Sequence, residues 1–436
     1  MQTEHIQPNT RPLSQNAQRR ALQSIVLGSL CLRMASMATG VTLSLFLAYL
    51  NREHFPVRAT LVGFISASFY ISELLGSPFA GALSDRSSRR AFMAWGGLLG
   101  MIAVLLTLGV LTIPSALLAI AILIFTRLLE GLSTAVSVPA TLSYLSSMTS
   151  GDTATRGRAM AAYEVGTLGG FALGSLAGGM LWDALGLGAF LVIAALYLLS
   201  SAIFWFGIPP LPQDKDFSTP LTHKLRLMAQ PAVLRLAPAW LAVNAIIGLW
   251  FSHATYQLGG DIRFEGQSLV GGFSGTTIGV IFFGYLLTFA VGISLWGRLL
   301  ARVGVRRTLF IGTAGMLQVA LVIFAINHTP LHERALVWGW LFLLGIGLLL
   351  ESGLTPAGLA YLADISEGYA QDRGAIMGVY SVLLGLGQLL GGWLGGPFAE
   401  WRGIDGMVVL TLLLVGITAI TIWRLPEAPH APTSTT

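Results

Sequence analysis

Long apolar runs recur along the whole chain, separated by short polar turns, and nothing else constrains its fold as tightly. A membrane-spanning helix needs about 20 predominantly apolar residues. Runs of that kind fall near 22–50, 59–83, 91–113, 115–148, 158–181, 186–208, 237–258, 271–297, 307–327, 335–363, 375–397 and 405–423. Only 10% of the residues are charged and 54% are hydrophobic, whereas a soluble domain carries about 25% charged residues. So few charges cannot cover a water-exposed surface of this size, so the solvent is lipid. The first run is too long for a signal-peptide core and is followed by no small-residue cleavage site, which makes it the first span. The expected fold is an all-α membrane protein of twelve transmembrane helices.

The charges that remain set an orientation. Of 25 lysines and arginines, 18 fall on the side of the termini, five on the other side, and two, Arg33 and Arg127, inside spans. Basic loops stay in the cytoplasm. Both termini are therefore expected there, in a multi-pass protein of the cell membrane. The net charge of +5 is spread over short inter-span clusters and does not mark a nucleic-acid partner. The lone Cys31 permits no intramolecular disulfide.

An internal repeat divides the chain. GALSDRSSRR at 81–90 aligns with GRLLARVGVR at 297–306, pairing Gly81 with Gly297, Arg86 with Arg302 and Arg90 with Arg306 at one constant offset. Further on the offset grows by a single position, and Pro139 pairs with Pro356, Tyr144 with Tyr361 and Arg156 with Arg373. Gly170, Gly174 and Gly178 likewise pair with Gly387, Gly391 and Gly395. Each repeat holds six spans, so the halves are parallel copies about an axis along the membrane normal, with a solute site expected between them. The divisions are a tail at 1–20, a six-helix bundle at 21–208, a cytoplasmic linker at 209–236, a second bundle at 237–424 and a tail at 425–436. Gly166, Gly170, Gly174 and Gly178 form an i, i+4 seam for close helix packing, mirrored by Gly387, Gly391 and Gly395.

Residues 81–90 resemble the loop signature of the major facilitator superfamily, Gly-x-Leu-Ala-Asp-Arg-x-Gly-Arg-Arg. Gly81, Leu83, Asp85, Arg86, Arg89 and Arg90 match, Ser84 and Ser88 depart, and Ala301 replaces the aspartate in the second half. The resemblance covers nearly the whole chain and implies two pseudo-symmetric six-helix bundles. It also implies that Gly81, Asp85, Arg86, Arg89 and Arg90 form a gating latch favouring the outward-facing state. Asp85 at the end of one span would accept hydrogen bonds from a helix N-terminus of the other half, near Gly374. Arg127-Leu-Leu-Glu130-Gly131 is similar to the family's Arg-x-x-x-Gly motif, linked to proton transfer in drug/proton antiporters. Gly170 to Gly179 resembles the antiporter motif Gly-x-x-x-Gly-Pro-x-x-Gly-Gly, with Ser175 in place of proline.

Four acids lie inside spans: Glu73, Glu130, Glu164 and Glu351. Each costs roughly 2.5 kcal/mol or more at the membrane centre by insertion scales, so each needs a cavity or a partner. Glu73 and Glu351 are central and lack a basic residue one turn away. Glu130 has Arg127 at i, i+3, and Glu164 lies near the interfacial Arg156 and Arg158. Ser66, Tyr70, Glu73 and Ser77 share one helical face, as do Arg127, Glu130, Thr134, Ser137 and Thr141, and such stripes read as cavity linings. Glu73, Glu351, Glu130, Arg127, Arg33 and Tyr70 are the expected proton and substrate pathway, with Trp250 and Tyr256 as cavity aromatics.

The seven histidines form no metal-spaced cluster, there is no nucleophile constellation, and there is no Walker-type phosphate loop. The expectation is a transporter, not an enzyme, with no cofactor and with a proton gradient instead of ATP as the energy source. Its partners are a small-molecule substrate and the lipid bilayer, and it is expected to be monomeric. Proton-coupled efflux of an amphipathic molecule leads. Uptake or facilitated diffusion of a polar solute, and a non-transporting sensor or membrane enzyme, are the alternatives.

Overall fold

Serines open several of the helices. Ser14, Ser88, Ser115 and Ser274 each accept a hydrogen bond from the backbone N–H three residues on, at 3.1 to 3.4 Å. These side chains satisfy orphan donors at the polar ends of otherwise apolar segments. The computed structural model describes residues 14–149, 153–210, 231–367 and 373–425, without the side chains of Asp85, 153–154, 231–233, 363–367 and 373–380. Most of both expected tails and of the linker lie outside the described residues, as do the Asp85 carboxylate and the side chains around Gly374.

All secondary structure among the described residues is helical, the α-helices being α1 Gln15–Glu53, α2 Ala59–Arg86, α3 Arg89–Gly109, α4 Ala116–Met148, α5 Thr153–Leu185, α6 Ala189–Gly207, α7 Pro231–Gly259, α8 Gly275–Val303, α9 Val305–Asn327, α10 Arg334–Glu351, α11 Leu354–Glu367 and α12 Arg373–Trp423. Ten stretches are long and apolar enough to cross a membrane. Two of them, Thr155–Gly207 and Ser381–Trp423, run to 53 and 43 residues. At 1.5 Å per residue each far exceeds a ~30 Å hydrocarbon core and supplies two spans. The first turns at Gly186, whose φ of 53° suits glycine. The second bends at Arg402 and Gly403, where the backbone leaves helical values. These stretches together make the twelve-span fold.

The run expected as one helix over 335–363 is broken instead. α10 ends at Glu351 and α11 starts at Leu354. At the break the Leu349 carbonyl accepts from Ser352 Oγ and from Trp296 Nε1, both at 2.8 Å. Side chains thus satisfy a carbonyl at membrane depth, as apolar surroundings demand. Gly353 leaves room for the Trp296 ring, which a Cβ would approach to 2.9 Å.

In the N-terminal half, α5 lies along α1. A methyl at Gly166, Gly170 or Gly178 would come within 2.6 to 3.0 Å of the Val26, Leu30 or Ala38 carbonyl, and one at Gly174 within 2.9 Å of Met34 Cα. In the second half α12 lies along α7, where a Cβ at Gly387 would come within 2.7 Å of the Leu241 carbonyl, Gly391 faces Ala245, and Gly395 faces the His253 ring. These glycines let backbones touch, which is how spans gain van der Waals contact without a hydrophobic drive. His253 is fully buried, with ring Nε2 2.9 Å from the Gly392 carbonyl.

Candidate functional site

α1, α2, α4 and α6 bring a polar cluster into the N-terminal half. Arg127 and Glu130 on α4 form a buried ion pair one turn apart. Tyr197 of α6 donates to the second Glu130 oxygen at 2.9 Å, and the Arg127 guanidinium lies over the Phe69 ring, 5.0 Å from its centroid. Both oxygens of Glu130 are therefore engaged. Tyr70 packs edge-on against Phe69 at 5.4 Å. Glu73, one turn further along α2, has Arg33 of α1 as the cation acting on it. Arg33 also acts on Glu164 and lies over the Phe171 ring at 5.2 Å. The charge felt by Glu164 thus includes that of Arg33 on another helix, α1, which lies along α5 at the glycine seam.

The polar stripe on α4 does not line a water-filled space. Thr134, Ser137 and Thr141 are buried. Ser133 donates to the Gly96 carbonyl of α3 at 2.6 Å, and Thr141 to the Ser137 carbonyl at 2.8 Å. Small hydroxyls close back onto helical carbonyls, so a polar face can serve packing as well as hydration. Tyr256 likewise is no cavity residue, since its buried hydroxyl donates to the Val57 carbonyl of the other half.

Glu351 stands differently. It ends α10 at the helix break, and no described side chain hydrogen-bonds or ion-pairs with it. Beside it runs an aromatic row: Phe289, Tyr285 and Phe251 at centroid spacings of 5.8 and 6.0 Å, with Phe282 5.4 Å from Phe251. Trp250 donates to Thr411 at 3.1 Å. Glu351, Tyr285, Trp250, Phe251 and Phe282 line a cavity of about 590 Å³. Its walls all come from the C-terminal half, whereas the repeat pointed to a site between the halves.

The halves meet at the end away from the termini. Gly275 of α8 and Gly179 of α5 pass backbone to backbone, with a Cβ on Gly275 reaching the Gly179 carbonyl at 2.7 Å. On the opposite flank a Cβ on Gly396 of α12 would come within 2.6 Å of Thr60 Cα of α2. Polar ties reinforce both crossings. Asp183 accepts from the N–H groups of Gly275 and Thr276 at 2.8 and 2.7 Å. Glu400 accepts from Thr60 Oγ1 at 2.7 Å and pairs with Arg58 at 3.7 Å, and Arg52 reaches Asp261 at 3.6 Å. Asp183 and Glu400 both sit just outside the apolar runs, so neither stands out in the sequence as an acid in a span. The repeat carried the signal: the two acids stand at the same offset as Gly179 and Gly396, the glycines that precede them.

The loop motif is anchored inside its own half. A Cβ at Gly81 would come within 3.3 Å of Pro139 Cβ, Arg89 donates to Ser147 at 2.8 Å, and Arg90 lies over the Trp205 ring at 4.8 Å. Arg86 is exposed. Ser88, which departs from the motif glycine, caps α3 with φ of −88°. Its repeat partner Gly304 has φ of +87°, a value only the glycine tolerates readily.

Two six-helix halves of parallel repeat, joined at one membrane end, with acids at mid-depth, define a polytopic transporter fold. The Major Facilitator Superfamily model matches residues 25–271 and 266–436, and the chain belongs to that superfamily. Multidrug resistance protein 2 of Bacillus subtilis (strain 168) is 23% identical over 407 residues, 90% of this chain and 92% of that protein. The nucleoside transporter NupG is similar in fold, with a TM-score of 0.70 at 14% identity, covering 92% of this chain and 98% of that one. So is a bacterial homologue of the human lysosomal transporter Spinster in an inward-facing, unoccupied conformation, with a TM-score of 0.68 at 15% identity over 94% and 97% of the two chains.

Proposed function

We propose that this superfamily transporter exchanges protons for a small amphipathic molecule, exporting it by alternating access. The carrying observation is the contrast between the acids. Glu130 is held by Arg127 and Tyr197, whereas Glu351 is unpartnered among the described residues. A carboxyl group that is neutral in one state and hydrated in the other is what proton exchange needs. Glu73 is the second candidate, at equivalent depth in the other half, with Arg33 as its counter-charge. The closure of the halves at one end, through Asp183 and Glu400, fits rocking about a central region. The distant similarity to a multidrug resistance protein supports the amphipathic class of substrate.

The deciding experiment is flux of a panel of amphipathic fluorescent dyes in proteoliposomes, with a pH gradient imposed and then collapsed. Glu73→Gln and Glu351→Gln should remain folded and passively exchange dye, and at least one should lose gradient-driven accumulation. Full gradient-driven transport in both variants would reduce these acids to structural roles. The loop motif belongs to the same cycle. Asp85→Asn should impair transport and favour inward-facing states, whereas Ala301→Asn, at a position with no carboxylate to lose, should not. Equal loss at both positions would make the motif a plain turn.

A further inference from the structure

α8 and α10 are parted where their repeat counterparts are packed. In the N-terminal half, a Cβ at Gly131 of α4 would press on the Phe69 carbonyl of α2, and one at Gly76 of α2 would come 3.1 Å from Ala135 and Leu132 of α4; deeper in the second half the counterpart of Gly76, Gly292 of α8, still meets Ser352 at the end of α10. In the C-terminal half, a Cβ at Gly284 of α8 or Gly345 of α10 would meet nothing within 4 Å. The spans Gly275–Val303 and Arg334–Leu362 have 22% of their most apolar stretch buried, against 39–61% for the other spans. Between them opens the 590 Å³ cavity, and Gly284 and Gly345 line it.

The mouth has an apolar rim. Val280, Ile281, Trp338 and Leu341 line the cavity and are exposed. They lie within the first two turns or so of their helices, in the half of the bilayer away from the termini. Tyr285 is ten residues into α8, about 15 Å along its axis, so Tyr285 and Glu351 mark the deep end. The rim and most of the lining are apolar, so water finds few partners away from the deep end, and an unfilled space there forfeits dispersion contacts along its lining. Hydrocarbon stands at the rim. Arg334, exposed one turn before Trp338, is placed at the interface where a phosphate would sit, with the tryptophan as the neighbouring interfacial anchor.

We propose that the cleft between α8 and α10 is a phospholipid acyl-chain site, with the lipid phosphate near Arg334 and the tail filling the cavity as far as Tyr285 and Glu351. The tail closes the lateral face of the half to water. On the proton-exchange reading above it also prevents Glu351 from exchanging protons sideways, a consequence that depends on that reading, while the binding site does not.

Proteoliposomes made with a phosphatidylcholine carrying a diazirine near the acyl terminus test the site directly. After irradiation and peptide mapping, label should appear on the inward-facing Phe282, Tyr285, Leu348 or Glu351, as well as on the outward-facing Val291 and Phe342. Gly345→Phe and Gly284→Phe each place a ring in open space. They should lower the inner labels about tenfold and leave the outer ones unchanged, the outer labels reporting that the protein is folded in the bilayer. Label confined to Val291 and Phe342 in the unmodified chain would overturn the site, as would inner labels indifferent to both substitutions. Loss of inner label alone on adding octylamine, with outer label intact, would give the cavity to an amphipathic amine and overturn the lipid assignment. None of these readouts uses transport, so the site and the proton reading fail separately.

Discussion

Asp183, at the end of α5, accepts a 2.8 Å hydrogen bond from the backbone N–H of Gly275, the first residue of α8 in the other half. The same carboxylate takes the N–H of Thr276 at 2.7 Å. Its repeat counterpart Glu400 binds Thr60 in the first turn of α2 at 2.7 Å. Thr60 and Thr276 are themselves repeat partners, at the offset that joins Gly63 to Gly279. The two acids are thus a pseudo-symmetric pair of clamps, each fixing the start of one half's span to the end of the other's. Each places negative charge at the positive end of a helix.

Loosening the clamps should open that end. Asp183→Asn keeps the shape and removes the charge, and Glu400→Gln does the same on the other flank. Both sites are partly in water, so each removal should weaken closure by about 1 kcal/mol, a few-fold in population. Spin labels at His54 and Glu265, exposed on opposite halves, should show a larger long-distance fraction in each variant and a larger one still in the double. An unchanged distance distribution in the double variant would make the clamps incidental.

The Arg127–Glu130 pair should behave as structure. Removing one partner strands a buried charge, at a cost of about 3–5 kcal/mol. Glu130→Gln and Arg127→Met should each lower the temperature at which the detergent-solubilised protein loses its monodisperse peak. Replacing both residues with Met should recover much of the loss, and Glu351→Gln should leave the melting temperature near that of the parent. A double variant as unstable as the singles would argue against simple pairing.

The glycine seam makes a sharper contrast. Gly174→Val must displace Met34, whose Cα lies 2.9 Å from the new Cβ, whereas Gly169→Val meets nothing within 4 Å. Overpacking of this kind costs about 1–3 kcal/mol. Gly174→Val should therefore express poorly and melt early, with Gly169→Val close to the parent. Similar behaviour of the two would mean that α1 and α5 are not held by the seam.

Orientation is open to chemistry. In a Cys31→Ser background, single cysteines at Glu53, Gly260 or His332 should react with an impermeant thiol reagent in intact cells. Cysteines at Ser88, Lys224 or Ser434 should react only after lysis. Labelling of the second group in intact cells would reverse the topology inferred from arginine placement.

The sequence by itself determined the solvent, the number of spans and the two-fold repeat, because each follows from one-dimensional quantities: run length, charge density and residue offset. The α5 glycines announced a close contact for the same reason, since an i, i+4 stripe of residues without side chains has few other uses. Partnership was decided by the tertiary structure alone. Arg127 and Glu130 are neighbours on one helix and were legible as a pair, but Tyr197, which completes their network, lies two helices further along the chain. The charge of Arg33 on α1 acts on Glu73 of α2 and Glu164 of α5, residues far from it along the chain. The break after Glu351 was invisible, because Ser352 and Gly353 interrupt an apolar run too briefly to end a span. Only the carbonyl of Leu349, claimed by Trp296 from another helix, shows why the chain stops being helical there. Depth in a membrane is written along a sequence; which side chain faces which is set by the crossing of helices far apart in it.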